Sequence, residues 1–159
     1  MIMSAGTTCA KVNIDTSFLI SSNKFYEIPM NEIKAGEILN VEIKVSPGGP
    51  VDVLLMKSSD HPGYVNAVSQ HGTFNYIEEA SLKRITSQAY SYKFNTDGDY
   101  YLVIDNTDVP KDGGIPSDQV DVRLKVSVVE PASAGAPKMP GFEFILAAII
   151  IVLLVISKK

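Results

Sequence analysis

Near the end of the chain Val120, Val122, Leu124, Val126 and Val128 alternate with Asp121, Arg123, Lys125 and Ser127. A period of two residues sets all five apolar side chains on one face of an extended strand, whereas a helix would scatter them around its circumference. The segment is therefore a strand with one dry face and one wet face. The same alternation recurs where Leu39, Val41, Ile43 and Val45 interleave with Asn40, Glu42, Lys44 and Ser46. It recurs again in Val12, Ile14, Thr16, Phe18 and Ile20, and in Tyr90, Tyr92 and Phe94. Val51 to Met56 differs: it is apolar throughout except for Asp52, the mark of a strand covered on both sides.

Punctuation between these runs supports short antiparallel strands. Ser21-Ser22-Asn23, Lys34-Ala35-Gly36-Glu37 and Pro47-Gly48-Gly49-Pro50 read as turns. Lys24 to Ile28 reads as a short strand stopped by Pro29, at a sheet edge or strand end because proline lacks a donor. Asp97-Gly98 carries a hairpin signal leading into Tyr100 to Ile104, and Asp105 to Gln119 is a polar loop. Between residues 57 and 88 the pattern is poor: Ser58 to Gly63 is loop, and Tyr76 to Ile85 fits either a short helix or a strand. The expected fold of residues 11–130 is all-β, an antiparallel β-sandwich of about six to eight strands.

A Pro/Ala linker follows at 131–139, and then a tail at 140–159, PGFEFILAAIIIVLLVISKK. Phe144 to Ile156 has no charge, no Gly and no Pro. As a helix, Phe142 to Ile156 spans about 22 Å, somewhat short of a hydrocarbon core of about 30 Å. Its Phe, Ile, Leu and Val residues favour insertion by roughly 4 to 7 kcal/mol, which exceeds the cost of one interfacial Glu143. A single C-terminal transmembrane helix is the expectation. Lys158 and Lys159 favour the cytoplasmic side, which places the folded domain outside the cell membrane, with Lys138 on the opposite flank weakening the bias.

Residues 1–10, MIMSAGTTCA, lack the charged and apolar regions of a secretory signal. They read either as the start of a tail-anchored cytosolic protein or, in keeping with the charge placement, as the small-residue remnant of a signal. The only cysteine, Cys9, reads as a free thiol, so the domain depends on its core rather than on a disulfide. A net charge of −4 and a pI near 5.1 argue against nucleic-acid binding.

Two resemblances bear on function. Gly36 to Met56, GEILNVEIKVSPGGPVDVLLM, with Tyr90 to Asn106, YSYKFNTDGDYYLVIDN, resembles the GOLD domain of the Golgi cargo-receptor family. The Gly-x-Tyr-Tyr element is also similar to one in the small sandwich appended to secreted bacterial peptidases. The Golgi proteins have a coiled coil before the membrane where this chain has only the Pro/Ala linker, so their vesicle-coat role is not implied. The tail, with Pro140, Gly141 and Phe142 before the apolar span and Lys158 and Lys159 after it, resembles the PGF-type sorting signal of archaeal surface proteins. That resemblance implies an archaeosortase-type processing enzyme and replacement of the span by a lipid. An ordinary single-pass anchor is the other reading.

Candidate chemistry is sparse. His61 and His71, the only histidines, read as loop residues. Asp105, Asp108, Asp112 and Asp118 offer the hard oxygen ligands that calcium takes outside cells, with solvated turns as the other reading. Tyr90, Tyr92, Tyr100 and Tyr101 have the spacing of core residues, although exposed tyrosines would suit a glycan. No cofactor is indicated. These features point to a non-enzymatic, membrane-anchored cell-surface module that binds a protein or glycan or contributes to the envelope. The alternative is an accessory subunit of a membrane complex, held through its C-terminal helix.

Overall fold

A computed structural model describes residues 11–131. The N-terminal segment, most of the linker and the whole tail, including Pro140, Gly141, Phe142, Lys158 and Lys159, lie outside the described residues. Among the described residues no helix is long and apolar enough to cross a membrane.

The strands are β1 (Val12–Ser21), β2 (Lys24–Ile33), β3 (Ile38–Val45), β4 (Val51–Lys57), β5 (Leu82–Ile85), β6 (Ser87–Lys93), β7 (Gly98–Asn106) and β8 (Gln119–Val129). Between β4 and β5 lie one helix, α1 (His61–Gln70), and a 3-10 turn at Glu78–Ala80. Two four-stranded antiparallel sheets result, ordered β1-β8-β3-β6 and β2-β7-β4-β5. The expected all-β sandwich is present, with eight strands among the described residues.

The alternating segments build the first sheet, and their apolar positions meet the second sheet across one core. Ile20, Leu39, Val41, Ile43, Val120, Val122, Leu124 and Val126 pack there against Ile28, Val51, Val53, Leu55, Tyr100, Leu102 and Ile104. The opposite faces of β4 and β7 are also dry. Leu54, Met56 and Val103 are covered by Tyr64 of α1 and by Val109, with Phe25, Phe74, Tyr76 and Tyr101 around them. That second layer accounts for the nearly unbroken apolar run at Val51 to Met56, interrupted only by Asp52. The candidate tyrosines divide between the two layers: Tyr100 is buried in the core between the sheets and the Tyr90 hydroxyl donates to the Ala80 carbonyl at 3.0 Å, while Tyr101 stacks on His61 in the second layer.

Four expectations need correction. The strand expected to stop before Pro29 continues to Ile33, because β2 is an edge strand and an edge strand needs donors on one side only. Asp97-Gly98 does not close a hairpin. β6 and β7 belong to different sheets, and the turn between them is fastened to another turn: Asp97 accepts from the Ala35 N–H at 2.8 Å and pairs with Lys34 at 3.1 Å. The loop expected over Ser58 to Gly63 already contains the first turn of α1, which Pro62 suits because an N-terminal helical position leaves its N–H unbonded in any case. Finally, the polar loop expected from Asp105 begins later, since Asp105 and Asn106 complete β7 as buried residues. The undecided stretch from Tyr76 to Ile85 contains both options, the 3-10 turn and then β5.

Candidate functional site

The two poles of the sandwich differ in kind. At one pole the described chain both enters and leaves: the Lys11 N–H donates to the Val128 carbonyl at 2.9 Å, and Ile38 of β3 pairs with Val129. The turns at residues 34–37 and 97–98 share this pole. A short polar network closes it, with the buried Glu37 carboxylate accepting from the Lys34 N–H at 2.9 Å and from Lys11 Nζ at 3.0 Å. The other pole carries the Pro47–Pro50 turn and the loop at residues 107–118.

That loop is held by side chains from the second sheet. Asp52 of β4 and Asp105 of β7 stand directly opposite each other in the ladder, and they are 1% and 2% exposed. Such a pairing puts two carboxyls on one face, and each is satisfied by a different segment. Asp52 accepts from the Arg84 N–H at 2.7 Å and, with both oxygens, from the Gly114 N–H at 3.0 and 2.9 Å. Arg84, at φ 57, turns its Nε to the Gly113 carbonyl at 2.7 Å. A Cβ on Gly113 would lie 1.9 Å from Asp52 Oδ2, so only glycine allows this approach. Asp105 accepts from the Thr107 N–H at 2.9 Å and from its hydroxyl at 3.1 Å.

Burial drives the Asp105 carboxyl up to about 7; the Asp52 charge adds to that rise and the Thr107 hydroxyl opposes it. Asp52 is also raised by burial, against the pull of the Arg84 and Gly114 N–H groups. The Tyr64 hydroxyl, enclosed beside Asp105, forms no well-shaped hydrogen bond, and burial first and then Asp105 push its pKa upward.

A second clamp lies three residues along the loop. The Ser117 N–H donates to Asn106 Oδ1 at 2.9 Å, and Asn106 Nδ2 returns a bond to the Ser117 carbonyl at 3.0 Å. The Pro47–Pro50 turn packs alongside, since Cβ atoms on Gly48 or Gly49 would collide with Val120 or Ser117. Between the two clamps sits Ile115, 82% exposed, with Lys111 and Asp118 exposed on either side.

The four candidate calcium ligands do not converge. Asp105 is enclosed with Thr107, Asp108 lies 3.0 Å from His71 Nδ1, Asp112 pairs with Lys83, and Asp118 is exposed and offers its backbone carbonyl to Ser22. Each of the first three is engaged by a protein group instead. Among the described residues no group of three or more His, Cys, Asp or Glu could hold a metal ion. The histidines flank α1 rather than lying in a loop. His61 opens it, with Nε2 2.7 Å from Glu27 and the ring stacked on Tyr101; His71 caps its end in a left-handed conformation.

The outer face of the first sheet is a polar platform. Register aligns Asn13, Ser127, Asn40 and Ser91 in one row across all four strands, and Asp15, Lys125, Glu42 and Ala89 in the next. These rows line an open concavity of about 540 Å³. Its charges are internally matched, Lys125 with Glu42 at 3.3 Å and Arg123 with Asp15.

Sequence reasoning missed Ile115 and the Asp52 and Asn106 clamps. For Ile115 the signal was a branched apolar residue just after Gly113-Gly114, one of two, with Val109, in the stretch from Asp105 to Gln119; nothing local marked the clamps.

No family model matches this chain, and no curated protein does. Among solved structures it is similar to that of Aeromonas hydrophila PliG, a periplasmic lysozyme inhibitor of g-type lysozyme, at 12% identity and a TM-score of 0.47, over 80% of this chain and 92% of that one. A likeness of this degree assigns neither activity nor partner.

Proposed function

We propose that the chain is a non-enzymatic binding module, held at the outer surface of a cell membrane by its C-terminal tail, with the loop pole turned toward a protein partner. The observation that carries this reading is the placement of the chain ends. Both leave the sandwich at one pole, so an anchor following the linker holds that pole nearest the bilayer and leaves the clamped 107–118 loop farthest from it. Loops clustered at one end of a rigid sandwich are where such folds carry recognition. The GOLD-like segments and the PGF-type tail belong to the same proposal, as does replacement of the apolar span by a lipid.

The test is surface labelling in the native host. The full chain carrying Cys9→Ser and Lys111→Cys, exposed to a maleimide that cannot cross membranes, is expected to label on intact cells. Labelling only after lysis would refute the external placement. The mass of the purified native protein then decides the anchor: a lipid in place of the tail supports the sorting signal, and an intact Lys159 supports a retained helix. Stoichiometric copurification of other membrane proteins through the tail would favour the accessory-subunit reading.

A further inference from the structure

We propose that Ile115 is the anchor by which this module seats in an apolar pocket on a folded protein partner. The inference rests on the reading of the chain as a surface-held binding module. An isoleucine that is 82% exposed is not by itself informative, because single apolar residues are common on surfaces. What distinguishes Ile115 is how it is held. One residue before it, Gly114 is bonded to the buried Asp52; two residues after it, Ser117 is bonded twice to the buried Asn106. Pro116 restricts the backbone between them. Arg84 grips the Gly113 carbonyl, and Lys83 pairs with Asp112, so the approach to the tip is fixed as well.

Two buried carboxyls and a buried amide are costly to place in an interior, and here Asp52 and Asn106 are spent on fixing a loop whose tip makes no contribution to the core. A loop ordered before binding loses little freedom on association, which is the condition under which a single side chain contributes strongly. The shape is convex, so the matching surface is concave. The partner chemistry follows: an apolar pocket sized for one branched aliphatic side chain, in a protein surface that accommodates Lys111 on one side and Asp118 on the other. The loop's distance from the pole that bears the linker argues against a lipid surface, and the exposed flanking charges argue against a bare apolar sheet.

The experiment places the photo-crosslinking residue p-benzoylphenylalanine at position 115, and separately at position 44 on the outer face of the first sheet, in the full chain expressed in its own host. A discrete protein adduct from position 115 and none from position 44 is expected. With that partner purified, Ile115→Asp should weaken binding by at least about thirtyfold, the scale of an interface hot spot, whereas Ile115→Leu should keep most of it. Adducts from position 44 alone, or equal loss in the Asp and Leu variants, would overturn the anchor and leave the binding-module reading standing. An adduct to a second copy of the chain or to lipid would overturn the partner chemistry. No adduct from either position, on protein that labels at the cell surface, would overturn both.

Discussion

The two sheets have equal strand numbers and opposite outer faces. On β1, β8 and β3 the outward side chains are mostly Asn, Asp, Ser, Lys, Glu and Arg, with Leu19 exposed among them, and water covers them. On β4 and β7 the outward side chains are Asp52, Leu54, Met56, Val103 and Asp105, and protein covers them. The difference teaches where polar groups acquire structural weight. On the wet sheet a carboxylate such as Glu42 keeps its hydration and its pairing with Lys125 adds little. On the covered sheet Asp52 and Asp105 have lost their water, so each must be satisfied by a backbone or hydroxyl donor, and those donors belong to the segments that shape the loop pole.

The sharpest way to break this comparison is to place the same charge on both outer faces. Leu54→Asp buries an unpaired carboxylate beneath α1 and should cost several kcal/mol, enough to unfold a domain of ordinary stability. Lys44→Asp on the wet sheet should be nearly silent. Urea denaturation of the full chain in detergent, followed by circular dichroism, reads both; equal losses would mean that the second sheet is not covered.

The next effect is in pH. Asp105 has a folded pKa of about 7, against about 3.9 when unfolded, so between those values the folded state holds a proton that the unfolded state has released. Stability should therefore be greatest near pH 4, fall by a few kcal/mol as pH rises to about 7, and level off above. Asp52, shifted in the same direction, adds to this slope. Denaturation midpoints at pH 5 and 7.5 test it, and Asp105→Asn should flatten the profile. A midpoint that rises with pH would contradict the buried pair.

Gly113→Ala is a smaller disturbance. The added methyl group meets the Asp52 carboxylate and forces the loop outward, at about 1–3 kcal/mol. Faster hydrogen exchange at Gly114 and Ser117, with β8 unchanged, would localise the loss. Smallest of all is Glu42→Gln, which removes an exposed ion pair and should change stability by less than about 1 kcal/mol.

How much of this is legible in the sequence follows the same division. Strands of the wet sheet announce themselves by alternation, and β1, β3 and β8 fall within a residue or two of the expected limits. The covered strand β4 is also readable as covered, because a continuous apolar run in a strand leaves neither face suited to water. What covers it is not readable. The first turn of α1 is His-Pro-Gly, a sequence that signals a turn, and the helix is held by Tyr64 docking on β4 and β7 rather than by local propensity. The Asp97-Gly98 signal is local and correct as a turn, but which sheet the next strand joins depends on pairing choices among distant segments. The site is less legible still. Asp105 reads as a loop ligand and Asp52 as an exception within an apolar run, since nothing local reveals that the two meet across a ladder.

The position of β8 has a kinetic consequence. Among the described residues it is the last strand in sequence and a central one in space, lying between β1 and β3. Until it is made, β1 has no neighbour in its sheet and β3 has only β6, so the earliest strand of the domain waits for the latest. Pairings so distant along the chain make folding slow, because the loop must close before the contacts that reward it can form. A newly made chain thus passes through an interval in which two strand edges lie open, and in that interval it is most exposed to pairing with other chains.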